Sequence, residues 1–363
     1  MTIDSLAIRD PQVPTYNPPH QVPLVAASSF IFDSIQEGMA IFGGDQPGHI
    51  YGRFGNPTVD AAAEKIAALE GFGLPAPAAG LFCSSGMAAI ATVLLSICEP
   101  EEIVLTQADL YGGTTSLLEQ LEKRGIRKQT VDLRDAAAVE TALSANRKIR
   151  IVYVETPSNP TLRVTDLAQL AELAHAHGAL LVADNTFATP FVQRPLSLGA
   201  DIVVHSTTKF INGHGTGIAG AIVCRDAALL HEKIVPTYRL YGGNGNPWDA
   251  WLVLNGLKTL PLRMERHTQN AQAVAEYLVA HPQVNHVNYP GLPGHPDLTT
   301  IEKQMLQTGG MLSFELAGGT EAGLAFMNNI KFCTLTPTLG DVDTLVLHPA
   351  SMSHRGVAPA VRA

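Results

Sequence analysis

The chain has 363 residues, 46% of them hydrophobic, which suits about two or three domains built around a large buried core. Its formal net charge of −9 comes without any block of like charge, so the basic patch of a nucleic-acid binder is missing and no nucleic acid is expected as a partner. The opening MTIDSLAIRDPQVPTYNPPH puts acidic residues and prolines where a signal peptide needs a basic start and an apolar core, and no apolar run approaches the roughly 18 residues of a membrane span, so a cytoplasmic protein without a membrane partner is expected.

Residues 1–50 carry Pro11, Pro14, Pro18, Pro19 and Pro23 with little periodicity, which suits an extended arm lying on another surface. Between residues 51 and 240, short β-branched runs alternate with Ala/Leu-rich helical stretches. EIVLT precedes a helix through SLLEQLEK, IRIVYVE precedes DLAQLAELAHAH, and ALLVAD, ADIVVH and AGAIVC follow. This alternation predicts an α/β domain, a mainly parallel sheet with helices on both faces. In residues 241–363 the long helical pattern DAWLVLNGLKTLPLRMERHTQNAQAVAEYLVAH leads into VNHVNY and GGMLSFEL, the texture of a smaller C-terminal α+β domain. Cys83, Cys98, Cys224 and Cys333 form no CxxC pair, which speaks against a zinc knuckle or a disulfide framework.

Ligands of open α/β sheets bind at the carboxyl ends of strands. ALLVAD ends in Asp184-Asn185-Thr186, ADIVVH in Ser206-Thr207-Thr208-Lys209, and IRIVYVE in Glu155-Thr156-Pro157-Ser158-Asn159-Pro160. Between GLF and the helical AAIATVLLSI, the turn Cys83-Ser84-Ser85-Gly86-Met87 opens a helix whose free N–H groups attract phosphate. A lysine at a strand end is by itself usually a solvated charge, and an aspartate there caps the next turn as often as it binds a ligand. An amine, a carboxylate and an anion cradle on one crest, however, are the three contacts that pyridoxal 5′-phosphate needs. Its aldehyde condenses with a lysine, its ring nitrogen needs an acidic partner, and its phosphate needs N–H and hydroxyl donors. Of the nine lysines, Lys209 directly follows a buried strand and a hydroxyl cluster, whereas Lys258 falls within an amphipathic helical pattern.

The segments YGRFGNPTVD, SSGMAAI, LYGGT, ETPSNPTL, VADNTFATPFVQRPLSLGADIVVHSTTKFINGHG, NGLKTLPLRM, YPGLPGHP and LGDVDTLVLHPASMSH run in order over residues 23–354. In these the chain resembles the pyridoxal-phosphate enzymes of cysteine and methionine metabolism: cystathionine synthases and lyases, homoserine-ester sulfhydrylases and methionine γ-lyases. The resemblance implies a fold-type I transferase. It makes Lys209 the Schiff-base lysine and Asp184 the partner of the ring nitrogen. Ser206 and Thr208, with the N–H groups of Gly86 and Met87, would hold the phosphate, and Tyr111 would stack on the ring and assist proton transfer. Tyr51 and Arg53 would reach the phosphate of a neighbouring subunit, so active sites are shared between chains of a homo-oligomer, a dimer of dimers. Asn159 would contact the ring oxygen and the substrate carboxylate, and Thr338 would lie on the substrate side. No metal is implied.

GTGIAG at Gly215 to Gly220 fits the dinucleotide pattern G-x-G-x-x-G, which would make the chain an NAD-dependent oxidoreductase, but that motif must open a helix and AIVC reads as strand. His175 and His177 are two apart on a helix and share no face, and His348 and His354 are expected in packing or hydrogen bonding. Leu335-Thr336-Pro337-Thr338-Leu339-Gly340-Asp341 offers no evident counter-charge for a second substrate ammonium. LGD with HPASMSH is most similar to methionine γ-lyases, while YGGT, with Gly112 and Gly113 after the tyrosine, is the sulfhydrylase form. The expected reaction is therefore γ-elimination, with γ-replacement on O-acetyl- or O-succinylhomoserine, or cystathionine γ-synthesis, as the alternative. Family members continue beyond HPASMSH with an arginine that pairs with the substrate carboxylate, whereas this chain ends HRGVAPAVRA, with Arg355 and Arg362 the arginines nearest that point. That difference leaves room for a protein that binds the cofactor with little turnover.

Overall fold

The computed structural model describes residues 2–11, 17 and 19–352. The expected α/β alternation is present. In chain order it runs α1 (Ile3–Ile8), α2 (Ile35–Gly43), α3 (Pro57–Glu70), β1 (Ala79–Cys83), α4 (Gly86–Ile97), β2 (Ile103–Thr106), α5 (Gly112–Glu122) and β3 (Arg127–Thr130). There follow α6 (Ala136–Ala145), β4 (Ile149–Glu155), α7 (Leu167–Ala176), β5 (Leu180–Asp184), β6 (Ile202–His205) and β7 (Gly220–Cys224). The single turn α8 (Ala227–Leu229) runs through a π-helical Leu230–Ile234 into α9 (Val235–Tyr241), before α10 (Pro247–Leu257) and the long α11 (Leu260–Val279). The carboxyl-terminal part holds β8 (Val284–Asn288), α12 (Leu298–Gln304), β9 (Ser313–Leu316), α13 (Gly319–Asn329), β10 (Thr334–Leu335) and β11 (Leu345–Val346).

Seven strands form one sheet in the order β1-β7-β6-β5-β4-β2-β3, in which only β7 runs against the rest. Parallel strands covered on both faces are apolar along their whole length. In β6, Val203 points into the core beneath α3 and α10, while Ile202 and Val204 point into the opposite core beneath α4 and α9. The strand β3, sequence RKQT, is a charged edge strand, where lysine and arginine discourage further pairing.

Two boundaries differ from the sequence expectation. The first 50 residues are not extended throughout: α1 packs on α3 and α11, burying Ala7, and Asp10 pairs with the buried Lys65 at 2.6 Å and with Lys258 at 2.8 Å. Nor does the large domain's core stop at residue 241. Ala250, Val253, Leu254 and Leu257 of α10, with Leu260 and Met264 of α11, pack with Val59, Ile66 and Leu69 of α3. Further along α11, Ala271 and Ala275 join Val287 and Tyr289 in the core of the smaller α+β unit, so one helix serves both cores. No helix among the described residues is long and apolar enough to cross a membrane.

Candidate active site

After β6 the chain turns at once: the Lys209 N–H donates to the Ser206 carbonyl (3.2 Å), Asn212 N–H to Thr207 O (2.9 Å) and Gly213 N–H to Lys209 O (2.8 Å). This turn is propped from behind by Arg263, 8% exposed, whose guanidinium donates to the carbonyls of Phe210 (2.6 Å) and Gly256 (2.8 Å). Burial pushes the Arg263 pKa down to about 10. Lys209 Nζ donates to Thr338 Oγ1 at 3.0 Å, and burial holds the amine below its usual pKa, which favours the neutral, nucleophilic form. Lys209 and Thr338 line a cleft of about 670 Å3 together with Thr208, Gly215, Ile218, Asp249 and Asp341. Asp249 and Asp341 thus bring to the cleft the negative charge that was not evident in the sequence.

Asp184 lies at the end of β5, next to β6. It accepts hydrogen bonds from Tyr153 Oη (3.2 Å, to Oδ2) and from the Thr186 N–H (3.0 Å, to Oδ1). Burial pushes its pKa up. Glu155, its register partner on β4, is pushed well up by burial and then by the Asp184 charge. Glu155 accepts from the Tyr111 N–H (2.7 Å) and Thr114 Oγ1 (3.1 Å), which fixes the start of α5 and with it the half-exposed Tyr111. A Cβ on Gly113 would sit 2.5 Å from Tyr111 Cε1, so the ring can lie there only because residue 113 is glycine.

Ser85 caps α4: its Oγ accepts from the Ala88 N–H (3.0 Å) and its carbonyl from the Ala89 N–H (3.1 Å). The N–H groups of Gly86 and Met87 have no protein acceptor among the described residues, nor does Ser206 Oγ have a protein partner there. A Cβ on Gly86 would stand 2.7 Å from Ser206 Cβ, so the helix start and Ser206 form one cradle. Free donors at a helix N-terminus beside a free hydroxyl fit a phosphate. With the desolvated amine and the acid at neighbouring strand ends, the residues present fit pyridoxal phosphate. Thr208 Oγ1 is engaged with the Ala219 carbonyl (3.1 Å) and N–H (3.0 Å), so it must redirect its proton to serve an anion.

The Asn159 side chain makes no protein hydrogen bond among the described residues. Its loop is held by Ser158 Oγ to Thr161 Oγ1 (2.7 Å) and by the bidentate pair of Arg163 with Asp297 (2.7 Å for each bond). Tyr51 and Arg53 are not among the residues lining the Lys209 cleft; Arg53 donates to the Arg239 carbonyl (2.6 Å) and stacks over Phe54. His175 and His177 pair separately with Asp201 and Glu140, and His348 bonds Ser351. His354, Arg355 and Arg362 lie outside the described residues. The decoy GTGIAG runs into strand β7, not a helix. Tyr153 and Arg263 carry no signal in the sequence, where an apolar run hides the first and a helical pattern the second. Glu155 stood at a strand end without a role because its partner, the Tyr111 N–H, is 44 positions away.

The description "Cys/Met metabolism PLP-dependent enzyme" matches residues 5–363. The chain is 43% identical over 343 residues to an L-methionine γ-lyase from Porphyromonas gingivalis, covering 94% of this chain and 84% of that protein. It is 40% identical over 361 residues to an O-succinylhomoserine sulfhydrylase from Pseudomonas aeruginosa, covering 99% and 87%. The crystal structure of cystathionine γ-synthase from Xanthomonas oryzae in complex with aminoacrylate and cysteine superposes with a TM-score of 0.92 at 40% identity, over 100% of this chain and 90% of that one. Fold, cradle and sequence agree, and the chain belongs to the pyridoxal-phosphate-dependent enzymes of cysteine and methionine metabolism.

Proposed function

We propose that this chain catalyses γ-elimination on a sulfur amino acid, turning L-methionine and water into methanethiol, 2-oxobutanoate and ammonia. The observation that carries the reading is the half-buried Lys209 amine, held by Thr338 in the wall of the cleft, in a chain whose relatives at 40–44% identity include several named L-methionine γ-lyase. Pyridoxal phosphate, when bound, supplies an electron sink for negative charge on the substrate carbons. Lys209 would carry the cofactor and, once displaced by the substrate amine, its Nζ, kept toward the neutral form by burial, would take the proton of the substrate α-carbon. Asp184 would pair with the ring nitrogen. Gly86 and Met87 N–H, Ser206 Oγ and Thr208 would hold the phosphate, and Tyr111 would lie against the ring with its hydroxyl available to protonate the departing sulfur. Asn159 and Thr338 orient the substrate.

The site is completed by a second copy, with Tyr51 and Arg53 reaching a neighbour's phosphate, in a dimer of dimers. Ile31, Ile35, Met39 and Phe42 on the amino-terminal arm, with Leu240 and Tyr241 beside the Arg239 carbonyl that anchors Arg53, are exposed apolar side chains that such an assembly would cover. Three buried free thiols, Cys83, Cys98 and Cys224, suit a reducing compartment, and the cytoplasm is the proposed location.

A second reading, γ-replacement on a homoserine ester, is favoured by Gly112 and Gly113 beside Tyr111 and by the sulfhydrylase relative. Products separate the two. Protein loaded with pyridoxal phosphate is given L-methionine, and separately O-acetyl- or O-succinylhomoserine with sulfide. Methanethiol and 2-oxobutanoate from the first support elimination; homocysteine from the second, with no 2-oxobutanoate from methionine, replaces that reading.

A further inference from the structure

Beneath the strand ends lies a polar cluster to which the proposed chemistry gives no role. Glu70, the last residue of α3, is 0% exposed, and its Oε1 accepts from both Asn185 Nδ2 (2.7 Å) and His205 Nε2 (2.6 Å). Asn185 directly follows Asp184, and His205 directly precedes Ser206. One carboxylate oxygen therefore grips the two strands beside their functional residues. The sheet ladder itself gives out there: Asn185 N–H to Val204 O (3.0 Å) is the last backbone link between β5 and β6. Past it, Ser206 N–H reaches only a side chain, Thr186 Oγ1, at 2.9 Å. The Glu70 bridge is thus a second side-chain tie across the ends carrying Asp184 and Ser206 through Lys209, beside the one from Thr186.

Asn185 is fully committed to this arrangement. Its amide also donates to the Gln193 backbone carbonyl (3.1 Å) and accepts from Gln193 Nε2 (3.1 Å), while Gln193 Oε1 accepts from Gln304 Nε2 of α12 (3.2 Å). Glu70 Oε2 and His205 Nδ1 are buried with no protein partner among the described residues, so the bridge runs through Glu70 Oε1 alone.

We propose that Glu70 is a positioning residue for the cofactor site: by holding Asn185 and His205 on one oxygen it fixes the acid at the end of β5 relative to the phosphate and amine contacts that follow β6. The inference rests on the proposed roles of Asp184, Ser206 and Lys209. A cofactor ring fixed between those contacts is held in one asymmetric orientation, and the visible circular dichroism of the bound cofactor reports that orientation.

The test compares wild type, Glu70→Ala and Leu69→Ala, each loaded with pyridoxal phosphate; Leu69 is equally buried but touches the apolar core only. Glu70→Ala is expected to lose at least about half of the visible dichroism per bound cofactor and to bind the cofactor about tenfold more weakly, near 1.4 kcal/mol. Leu69→Ala, destabilised by its cavity, keeps both. If Glu70→Ala fails to fold, Glu70→Asp takes its place: it keeps the charge but is one methylene too short to hold both donors, and the same loss of dichroism is expected. Unchanged dichroism in the folded Glu70 variant, or an equal loss in Leu69→Ala, reduces Glu70 to a structural residue. Wild type that binds no cofactor overturns this inference together with the functional reading, whereas a dichroic wild type with unaffected variants overturns the inference alone.

Discussion

Replacing Asp184 by asparagine should separate the stability of the protein from its use of the cofactor. The carboxyl keeps two hydrogen bonds, from Tyr153 Oη at 3.2 Å and the Thr186 N–H at 3.0 Å, and its pKa is nonetheless raised above 3.8 by burial. Taking an ion out of water costs several kcal/mol. Two hydrogen bonds to a charged acceptor return about 1.5–3 kcal/mol each, and the raised pKa means that the return falls short. A carboxyl raised on folding binds its proton more tightly in the folded state, so stability falls as pH climbs from the unfolded value through the folded one, and the whole penalty is present above it. Asparagine retains the Thr186 bond and can donate to the Tyr153 oxygen. Its presence also relieves Glu155 of a neighbouring charge that pushes its pKa up. The cofactor-free variant should therefore be more stable than wild type by about 1–2 kcal/mol at pH 7, the gain vanishing near pH 4. Under the proposed pairing of Asp184 with the ring nitrogen, the loaded variant lacks that counter-charge, and breaking such a buried pair, at about 3–5 kcal/mol, should lower kcat/KM about a hundredfold or more. Urea unfolding of the cofactor-free proteins at several pH values, beside turnover of the loaded ones, measures both halves. A cofactor-free variant weaker than wild type at pH 7, or one with undiminished turnover, refutes the reasoning.

Gly86→Ala would place a Cβ 2.7 Å from Ser206 Cβ and 3.0 Å from its Cα, forcing the phosphate cradle apart; cofactor affinity should fall about tenfold or more by equilibrium dialysis, and an unchanged affinity would show the cradle to be elsewhere. Borohydride should fix pyridoxal phosphate to wild type and not to Lys209→Ala, as read by mass spectrometry, and an adduct on another lysine would reassign the amine. Mixing Arg53→Ala with Lys209→Ala under conditions of subunit exchange should restore some activity in hybrids, and no recovery despite proven exchange would mean that each site is built within one chain. Asp10→Ala strands the buried Lys65 ammonium at a cost of about 3–5 kcal/mol at pH 7, which Lys65→Met in the same chain should largely remove. Because burial holds Lys65 below its usual 10.5, the ammonium sheds its proton early and the Asp10→Ala deficit should shrink as pH rises into the alkaline range; a deficit independent of pH would place its origin in packing.

Much of this architecture is written locally. The middles of β4, β5 and β6, IVYV, LLVA and IVV, are apolar because both faces of the sheet are covered, and polar residues begin where each strand leaves that shelter. The positions of Asp184 and Lys209 are therefore legible one strand at a time, and the SSG turn announces a helix start by its own capping chemistry. Other features depend on what the chain meets in space. The charged segment RKQT is a strand because β2 offers it an edge, and α10 joins the large domain because its apolar side meets α3. The proline-bearing first 50 residues contain α1 and α2, the former seated on α3 and α11. Thr338 stands 129 positions from Lys209, and Glu70 stands 115 and 135 positions from Asn185 and His205. Hydrophobic periodicity reports which side of an element is buried, since that depends on neighbours three or four residues away. It carries no information on which distant polar group arrives opposite, since that is set by how strands and helices cross, and the site's supporting contacts exist only once the whole chain has packed.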